Sequence, residues 1–294
     1  MAKPKTEKIY EKAFFISAGL SFIIMILMAI FIIGEGYPII EKVGLFNFIL
    51  GMKWKPTTGS FGIFPMIVGT MAVTLGSLLL GVPFSILAAI FLAEYAPQKI
   101  SGIVNTAIEL LAGIPSVIYG LFGMTTVVPV IRRIGTSFLK DPEAMSGFSM
   151  LAAIIILSIM ISPTIINISR DALKAVPREI KEGSLALGAT HWQTIEAILL
   201  PAAKPGILAG IILGMGRAIG ETMAVIMVAG NAAKLPSSIF SPIRTLTSNI
   251  AIEMPYAAAG SHIQALFGCG IVLFVIIIVL NAAAMRVADR GRVK

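Results

Sequence analysis

The chain is 294 residues long; 57% of its residues are apolar, only 13% are charged, and its mean hydropathy is +0.93. Such a composition is typical of an integral membrane protein, because it supplies too little polar surface for a water-soluble one. One cysteine and two histidines exclude a disulfide framework and a cysteine-based metal site, so we expect no cofactor in this chain. The formal net charge of +8 is expected to mark a cytoplasmic membrane face rather than a nucleic-acid interface.

Six stretches are long and apolar enough to cross a bilayer as helices, for which about 20 residues suffice. They lie at 14–33, 63–93, 103–131, 147–168, 207–229 and 263–285. Pro83 and Pro115 predict a tilt, kink or break in the second and third of these stretches. The first is too long for a signal-peptide core and no cleavage site follows it, so we expect it to be retained. The predicted fold class is an all-α integral membrane protein with six transmembrane helices.

The distribution of lysine and arginine predicts the orientation of these spans. With the N-terminus inside, the cytoplasmic segments hold 14 of these residues and the opposite segments 8, which leaves Arg217 alone within a span. We therefore expect a cytoplasmic N-terminal segment at 1–13, a six-helix domain at 14–285 and a cytoplasmic basic tail at 286–294.

The first extracytoplasmic segment, 34–62, is expected to be a loop lying on the membrane surface. Aromatic side chains prefer the interface between membrane and water. Those in this segment are Tyr37, Phe46, Phe48 and Trp54.

The cytoplasmic segment 169–206 carries several helix signals. Pro177 suits the start of one helix and Gly188 its end. Thr190 and Gln193 form a capping box that opens a second helix. The predicted product is two short helices that meet at a glycine turn, the second of which is expected to stop at Pro201 and Pro205.

The same segment contains a spaced motif. Its pattern, E-x5-G-x9-I-x-L-P, is formed by Glu182, Gly188, Ile198, Leu200 and Pro201. This spacing resembles the EAA loop of permease subunits of ABC importers, with Gly183 and Ser184 in place of the two alanines. From composition alone, a plain connecting loop is the alternative.

The resemblance implies that this loop docks in a groove of a separate ATPase subunit. The residues to which it assigns this coupling role are Glu182, Leu187, Gly188, Ala189, Thr190, Leu200 and Pro201. Because the chain has no GxxxxGK[ST] phosphate loop, ATP and Mg²⁺ are expected on that partner and no catalytic residue is expected here.

Span five combines small and charged residues on one predicted face. At 100° per residue, an arc of about 80° contains Gly206, Gly210, Gly214, Arg217, Glu221 and Ala224. The glycines predict close packing with a neighbouring helix. The two charged residues, four apart, predict either a structural ion pair or an arginine that leaves its glutamate to receive a passing anion.

The sequence GRAIGETMAV around Arg217 resembles the span-five signature of phosphate-import permeases of the PstC type. The stretches at 48–56, 113–123 and 168–183 agree with this resemblance, and the long first loop favours that type over the companion PstA type. The resemblance implies a type I ABC importer permease fold in the plasma membrane. It also implies a PstA-type permease partner, two ATPase subunits and a phosphate-binding protein.

Hydroxyl groups extend the predicted substrate pathway beyond Arg217, Glu221 and Thr222. The added candidates are Thr74 and Ser77 on one face of span two, and Ser116 beside Pro115. Their alternative role is to hydrogen-bond helix carbonyls. In contrast, solvated or boundary positions, in or beside the predicted loops, are expected for Glu94, His191 and His262.

Rival functions remain open at this point. A permease for sulfate, molybdate or phosphonate would share the loop motif, whereas an ATP-independent anion carrier or channel would make the motif coincidental. An intramembrane enzyme is disfavoured because no Ser/His/Asp, HExxH or GxSxG arrangement is present.

Overall fold

A computed structural model describes residues 5–139 and 142–290, which are mostly helical and include one small hairpin. The long helices are α1 (Lys5–Val43), α3 (Phe64–Ile90), α4 (Gln98–Gly113), α7 (Met150–Lys174), α10 (Leu200–Gly220) and α13 (Ser261–Arg290). The short helices are α2 (Leu45–Leu50), α5 (Ser116–Phe122), α6 (Val128–Ile134), α8 (Arg178–Ala186), α9 (His191–Thr194), α11 (Met223–Val228) and α12 (Leu246–Glu253).

The remaining elements are turns and two strands. Four π turns lie at Phe91–Tyr95, Gly123–Val127, Gly135–Leu139 and Ile195–Leu199. Single 3₁₀ turns lie at Pro56–Thr58, Pro142–Met145 and Met254–Tyr256. Strands β1 (Trp54–Lys55) and β2 (Ser60–Phe61) pair antiparallel, with Trp54 opposite Phe61.

Six helical stretches of the described residues are long and apolar enough to span a membrane. They are Tyr10–Val43, Phe64–Tyr95, Ser116–Ser137, Met150–Lys174, His191–Gly220 and Ser261–Arg286. The six-helix, all-α class is therefore confirmed, and most of the predicted bounds change.

The third predicted span, 103–131, is not one helix: it covers most of α4, all of α5 and part of α6. Helix α4 ends at Gly113, and Ile114 takes an extended conformation before Pro115 starts the next helix. The proline ring disfavours helical backbone at the preceding residue, which explains the break. The Tyr119 hydroxyl, 2.8 Å from the Leu111 carbonyl, donates a hydrogen bond across it.

Segment 34–62, predicted as a loop on the membrane surface, is instead largely regular structure. Helix α1 continues through Pro38 to Val43, and α2 and the β-hairpin fill the rest of 34–62. Phe48 is fully buried because Gly268 leaves space for its ring: a Cβ there would lie 2.7 Å from Phe48 Cζ. Tyr37 and Phe46 are exposed, as expected.

The predicted terminal boundaries also fall inside helices. Helix α1 begins at Lys5, within the segment predicted at 1–13, and α13 runs to Arg290 through most of the predicted tail. Residues 1–4 and 291–294 lie outside the described residues.

The prolines of segment 169–206 do not end the helix that begins at His191. It continues through α10 to Gly220, with a π turn at Ile195–Leu199 directly before Pro201. In this wider turn the Leu200 N–H bonds to the Ile195 carbonyl, so the helix changes its pairing where the proline ring would disturb a regular turn. The predicted loop is thus only the part between Lys174 and His191.

Three helices form the centre of the molecule. Helices α3 and α7 run parallel, since Gly76 lies against Ile154 and Gly81 against Ser158. Helix α10 runs antiparallel to α7 on another side. Large aliphatic side chains of α7, among them Ile156 and Ile161, are fully buried in this core.

Candidate functional site

The chain makes a sharp elbow between α8 and α9. Gly188 adopts φ +87°, which is accessible to glycine at low cost. The Gly188 N–H donates to the Leu185 carbonyl and the Ala189 N–H to the Ser184 carbonyl, at 3.0 and 3.3 Å. These two bonds form a Schellman motif, in which a left-handed residue ends a helix. Leu187 is 91% exposed at this elbow, so an apolar side chain projects into solvent.

The second half of the elbow is capped as its sequence predicts. The Thr190 hydroxyl accepts from the Gln193 N–H at 3.3 Å, and the Gln193 side chain accepts from the Thr190 N–H at 2.8 Å. Both bonds of a capping box are therefore present. The Ser184 and Thr194 hydroxyls, 3.0 Å apart, link α8 to α9.

The predicted coupling residues divide into two groups. Glu182, Leu187, Gly188 and Thr190 are exposed at or near the elbow, and Ala189 is partly exposed. Leu200 and Pro201 lie beyond the π turn, about 15 Å along the helix from His191. The surface that the elbow offers to a partner therefore excludes the last two.

The predicted glycine stripe of span five lies against α7. A Cβ at Gly206 would lie 2.4 Å from the Ala172 Cβ, and one at Gly214 would lie 2.9 Å from Ile165 side-chain atoms. Gly210 lies between them against Ile168. At Gly206 and Gly214 a side chain would not fit without a shift of its neighbour, so these glycines set the distance between the helices.

Arg217 and Glu221 do not form the predicted ion pair. Helix α10 ends at Gly220, and the chain leaves the helical path after Glu221, which has ψ 132°. The Glu221 carboxylate instead accepts from the Ala224 N–H at 3.2 Å, which caps α11. Among the described residues, Arg217 has no hydrogen-bond or ion-pair partner.

The level of Arg217 follows from the packing of its neighbours. Gly214 contacts Ile161 and Ile165, near the middle of the 25-residue helix α7, and Arg217 lies about one turn further along. An arginine at mid-span costs about 2.5–3.5 kcal/mol on insertion scales unless it has partners or water. The guanidinium therefore requires water or a partner that the described residues do not supply.

The two interruptions of the spans lie side by side. Helix α11, after the break at Glu221, packs on α5, after the break at Pro115: a Cβ at Gly120 would lie 3.1 Å from the Ala224 Cα. Tyr119 lies close enough to Arg217 for an electrostatic interaction. Ser116, one turn before Tyr119, is therefore near this site.

The backbone at the break in span five has partners of its own. The Thr247 hydroxyl donates to the Glu221 carbonyl at 3.0 Å, and the Thr222 hydroxyl donates to the Gly220 carbonyl at 3.2 Å. Irregular backbone at membrane depth requires such bonds. Thr247 was missed from the sequence because it lies 26 residues away from the carbonyl that it satisfies.

The predicted pathway residues of span two are placed differently. Thr74 and Ser77 are fully buried within the protein, and the Ser77 hydroxyl donates to the Thr74 carbonyl at 2.9 Å. The Ser77 hydroxyl thus takes the alternative role of bonding a helix carbonyl, and burial gives an anion no access to either residue in this conformation. No group of His, Cys, Asp or Glu in the described part of the chain is arranged to hold a metal ion.

Residues 81–292 match the family described as "Binding-protein-dependent transport system inner membrane component". The chain belongs to this family of transport permeases. It is 42% identical over 240 residues to "Probable ABC transporter permease protein YqgH" of Bacillus subtilis, covering 81% of this chain and 75% of that protein.

Other relatives carry a more specific name. Identity is 40% to "Phosphate transport system permease protein PstC" of Pasteurella multocida, covering 79% of this chain and 76% of that one. It is 34% to the "Probable phosphate transport system permease protein PstC" of Methanocaldococcus jannaschii, with coverage of 92% and 90%. These relatives confirm the resemblance to PstC-type permeases.

Solved structures share the fold. A bacterial alginate ABC transporter has a TM-score of 0.65 at 20% identity, covering 98% of both chains. The MetNI methionine ABC transporter has a TM-score of 0.62 at 19% identity, covering 82% of this chain and 100% of that one. The type I importer permease fold is thereby confirmed.

Proposed function

We propose that this chain is the transmembrane permease subunit of an ATP-driven phosphate importer in the cytoplasmic membrane. Relatives named as phosphate permeases support the substrate. The chain pairs with a homologous permease of the PstA type, two ATPase subunits bind beneath the pair, and a phosphate-binding protein delivers substrate from outside. ATP and Mg²⁺ bind to the ATPases, and this chain has no catalytic residue.

One observation carries the proposal: a single helix joins the elbow to Arg217. It runs from His191 to Gly220, 30 residues or about 45 Å, without a chain break. Its first turn is capped at the elbow and its last turn holds the guanidinium. A displacement of the elbow by an ATPase is thereby transmitted to Arg217.

The chemistry of Arg217 suits a travelling oxyanion. The planar guanidinium donates paired hydrogen bonds to phosphate oxygens, and no carboxylate of the described residues competes for them. Glu221, held at the start of α11, keeps a negative charge close by in the chain, which limits how tightly an anion is held. Alternating access follows: the outward conformation receives phosphate, and the inward one releases it past Arg217.

Arg217→Gln tests the proposal. Loss of a charged hydrogen-bond donor of about 1.5–3 kcal/mol predicts a reduction of phosphate uptake by about 10- to 100-fold in proteoliposomes. Co-purification of the ATPase with the variant is expected to be unchanged. The exposed Arg286, as Arg286→Gln, is a matched control that is expected to transport normally. Normal phosphate uptake by Arg217→Gln would show that Arg217 has only a structural role.

Reconstitution with the partners separates the rival functions. ATP hydrolysis stimulated by phosphate-loaded binding protein supports a phosphate importer, whereas stimulation only by a sulfate-, molybdate- or phosphonate-loaded protein supports another oxyanion. Phosphate flux through vesicles that lack the ATPase supports a carrier or channel instead.

A further inference from the structure

A buried carboxylate joins the elbow to span two. Glu94 lies in the π turn that follows α3, and its side chain is only 7% exposed. Its Oε2 atom lies 2.5 Å from Lys181 Nζ on α8 and 3.4 Å from His191 Nε2 at the start of α9. The rings of Tyr95 and His191 also meet edge to face, 4.9 Å apart. Glu94 was expected in a solvated or boundary position; it lies at the end of span two, and its side chain is buried rather than solvated.

Helix α8 depends on such links because it is not held by core packing. None of its side chains is buried. A cavity of about 640 Å³ separates it from the ends of α3 and α7, lined among others by Leu173, Leu185 and Glu94. In the described ranges, α8 side chains make only two polar contacts: Ser184 with Thr194, and Lys181 with Glu94. The first reaches the start of the helix His191–Gly220, and the second reaches the end of span two.

The two members of the Glu94–Lys181 ion pair differ in solvent exposure, and this difference determines which of them opposes separation. Lys181 is 31% exposed and regains water when it is released. Glu94 is almost fully buried and loses much of its compensation, because a buried carboxylate requires charged or hydrogen-bonding partners. Separation of α8 from span two is therefore opposed mainly by the carboxylate.

We propose that Glu94 is a positioning residue that couples α8 to span two. When an ATPase displaces the elbow, Glu94 makes the end of α3 follow α8. Helix α3 then moves α7, with which it packs in parallel through Gly76 and Gly81. The elbow thus drives two routes, one along α9 and α10 to Arg217 and one through Glu94 to α3 and α7.

The inference rests on the proposed transport function, so the test measures phosphate moved per ATP hydrolysed in the reconstituted complex. Glu94→Gln is expected to bind the ATPase and hydrolyse ATP while this ratio falls by about 5- to 30-fold. Lys181→Gln removes the exposed partner of the pair and is also expected to lower the ratio of phosphate moved to ATP hydrolysed. This variant tests the proposal if the Glu94→Gln complex does not assemble. The exposed Glu179 on α8, as Glu179→Gln, is the control and is expected to keep the ratio of the wild type.

Charge exchange distinguishes coupling from mere packing. The double variant Glu94→Lys with Lys181→Glu is expected to restore most of the ratio that either single change removes. An unchanged ratio in an assembled Glu94→Gln complex, or no recovery in the double variant, overturns the role of Glu94. A wild-type complex that moves no phosphate with ATP contradicts the proposed function instead, so the two failures are distinct.

Discussion

The elbow at Gly188 permits a substitution whose cost is almost entirely conformational. A Cβ at this position would meet no atom within 4 Å, so the neighbours oppose no side chain, while φ is +87°. Left-handed backbone costs an ordinary L-residue about 1–2 kcal/mol, and asparagine less. Gly188→Val therefore lowers the population of this elbow about 5- to 30-fold relative to competing conformations. Gly188→Asn is expected to lower it by less than about threefold.

The assay is the affinity of the purified ATPase subunit for the permease in detergent or nanodiscs. If docking requires the observed elbow, the Kd rises by the same factor as the elbow population falls. Gly183→Ala on α8 is the matched control, since its Cβ also meets nothing within 4 Å and its backbone is helical. It is expected to strengthen α8 by up to about 1 kcal/mol and to leave docking intact.

Two outcomes would refute this reasoning. An unchanged Kd for Gly188→Val would show that the ATPase does not dock on this elbow. Equal losses for valine and asparagine would show that the partner contacts the bare glycine directly, so that backbone strain is not the cause.

Two further predictions concern packing and pH. Gly206→Ala places a methyl group 2.4 Å from the Ala172 Cβ and is expected to cost about 1–3 kcal/mol of stability, measured as a lower thermal midpoint. Gly216→Ala is the control: its methyl group enters open space, so its thermal midpoint should stay that of the wild type. Equal midpoints for the two variants would contradict the close contact at Gly206. Hydrogen bonds, foremost from Ser241, hold the pKa of Glu143 below its ordinary 4.5, so the stabilisation persists above pH 4.5 and is lost as the pH falls through the lower pKa of the folded state. Hydrogen exchange at 237–241 should accelerate on acidification in the wild type, and Glu143→Gln should already exchange fast at neutral pH; identical profiles would exclude this carboxylate as the cause.

Features set by short-range chemistry were predictable from the sequence. The number of spans follows from apolar runs, and the Gly188 turn and the Thr190–Gln193 capping box follow from residues within one helical turn of each other. The break at Pro115 is equally local, because the proline restricts Ile114 directly.

Features that depend on a change of helical pairing or on distant partners were not predictable. Pro201 predicts the end of a helix, yet the π turn before it allows the helix to continue. The ion pair of Arg217 and Glu221 is predicted from helical spacing, whereas the helix ends at Gly220 and the Glu221 carboxylate accepts from the Ala224 N–H of the next helix. Glu94 reads as a loop residue because its partner Lys181 is 87 residues away.

The π turn at Ile195–Leu199 also determines the rotational phase between the two ends of the long helix. It inserts one residue beyond the α-helical repeat, and each residue corresponds to about 100° of rotation. Without that extra residue, the guanidinium of Arg217 would face a different azimuth for the same orientation of the elbow. This single turn therefore fixes the direction in which the Arg217 side chain leaves the helix relative to the elbow, and that direction is kept when the helix moves as a rigid body.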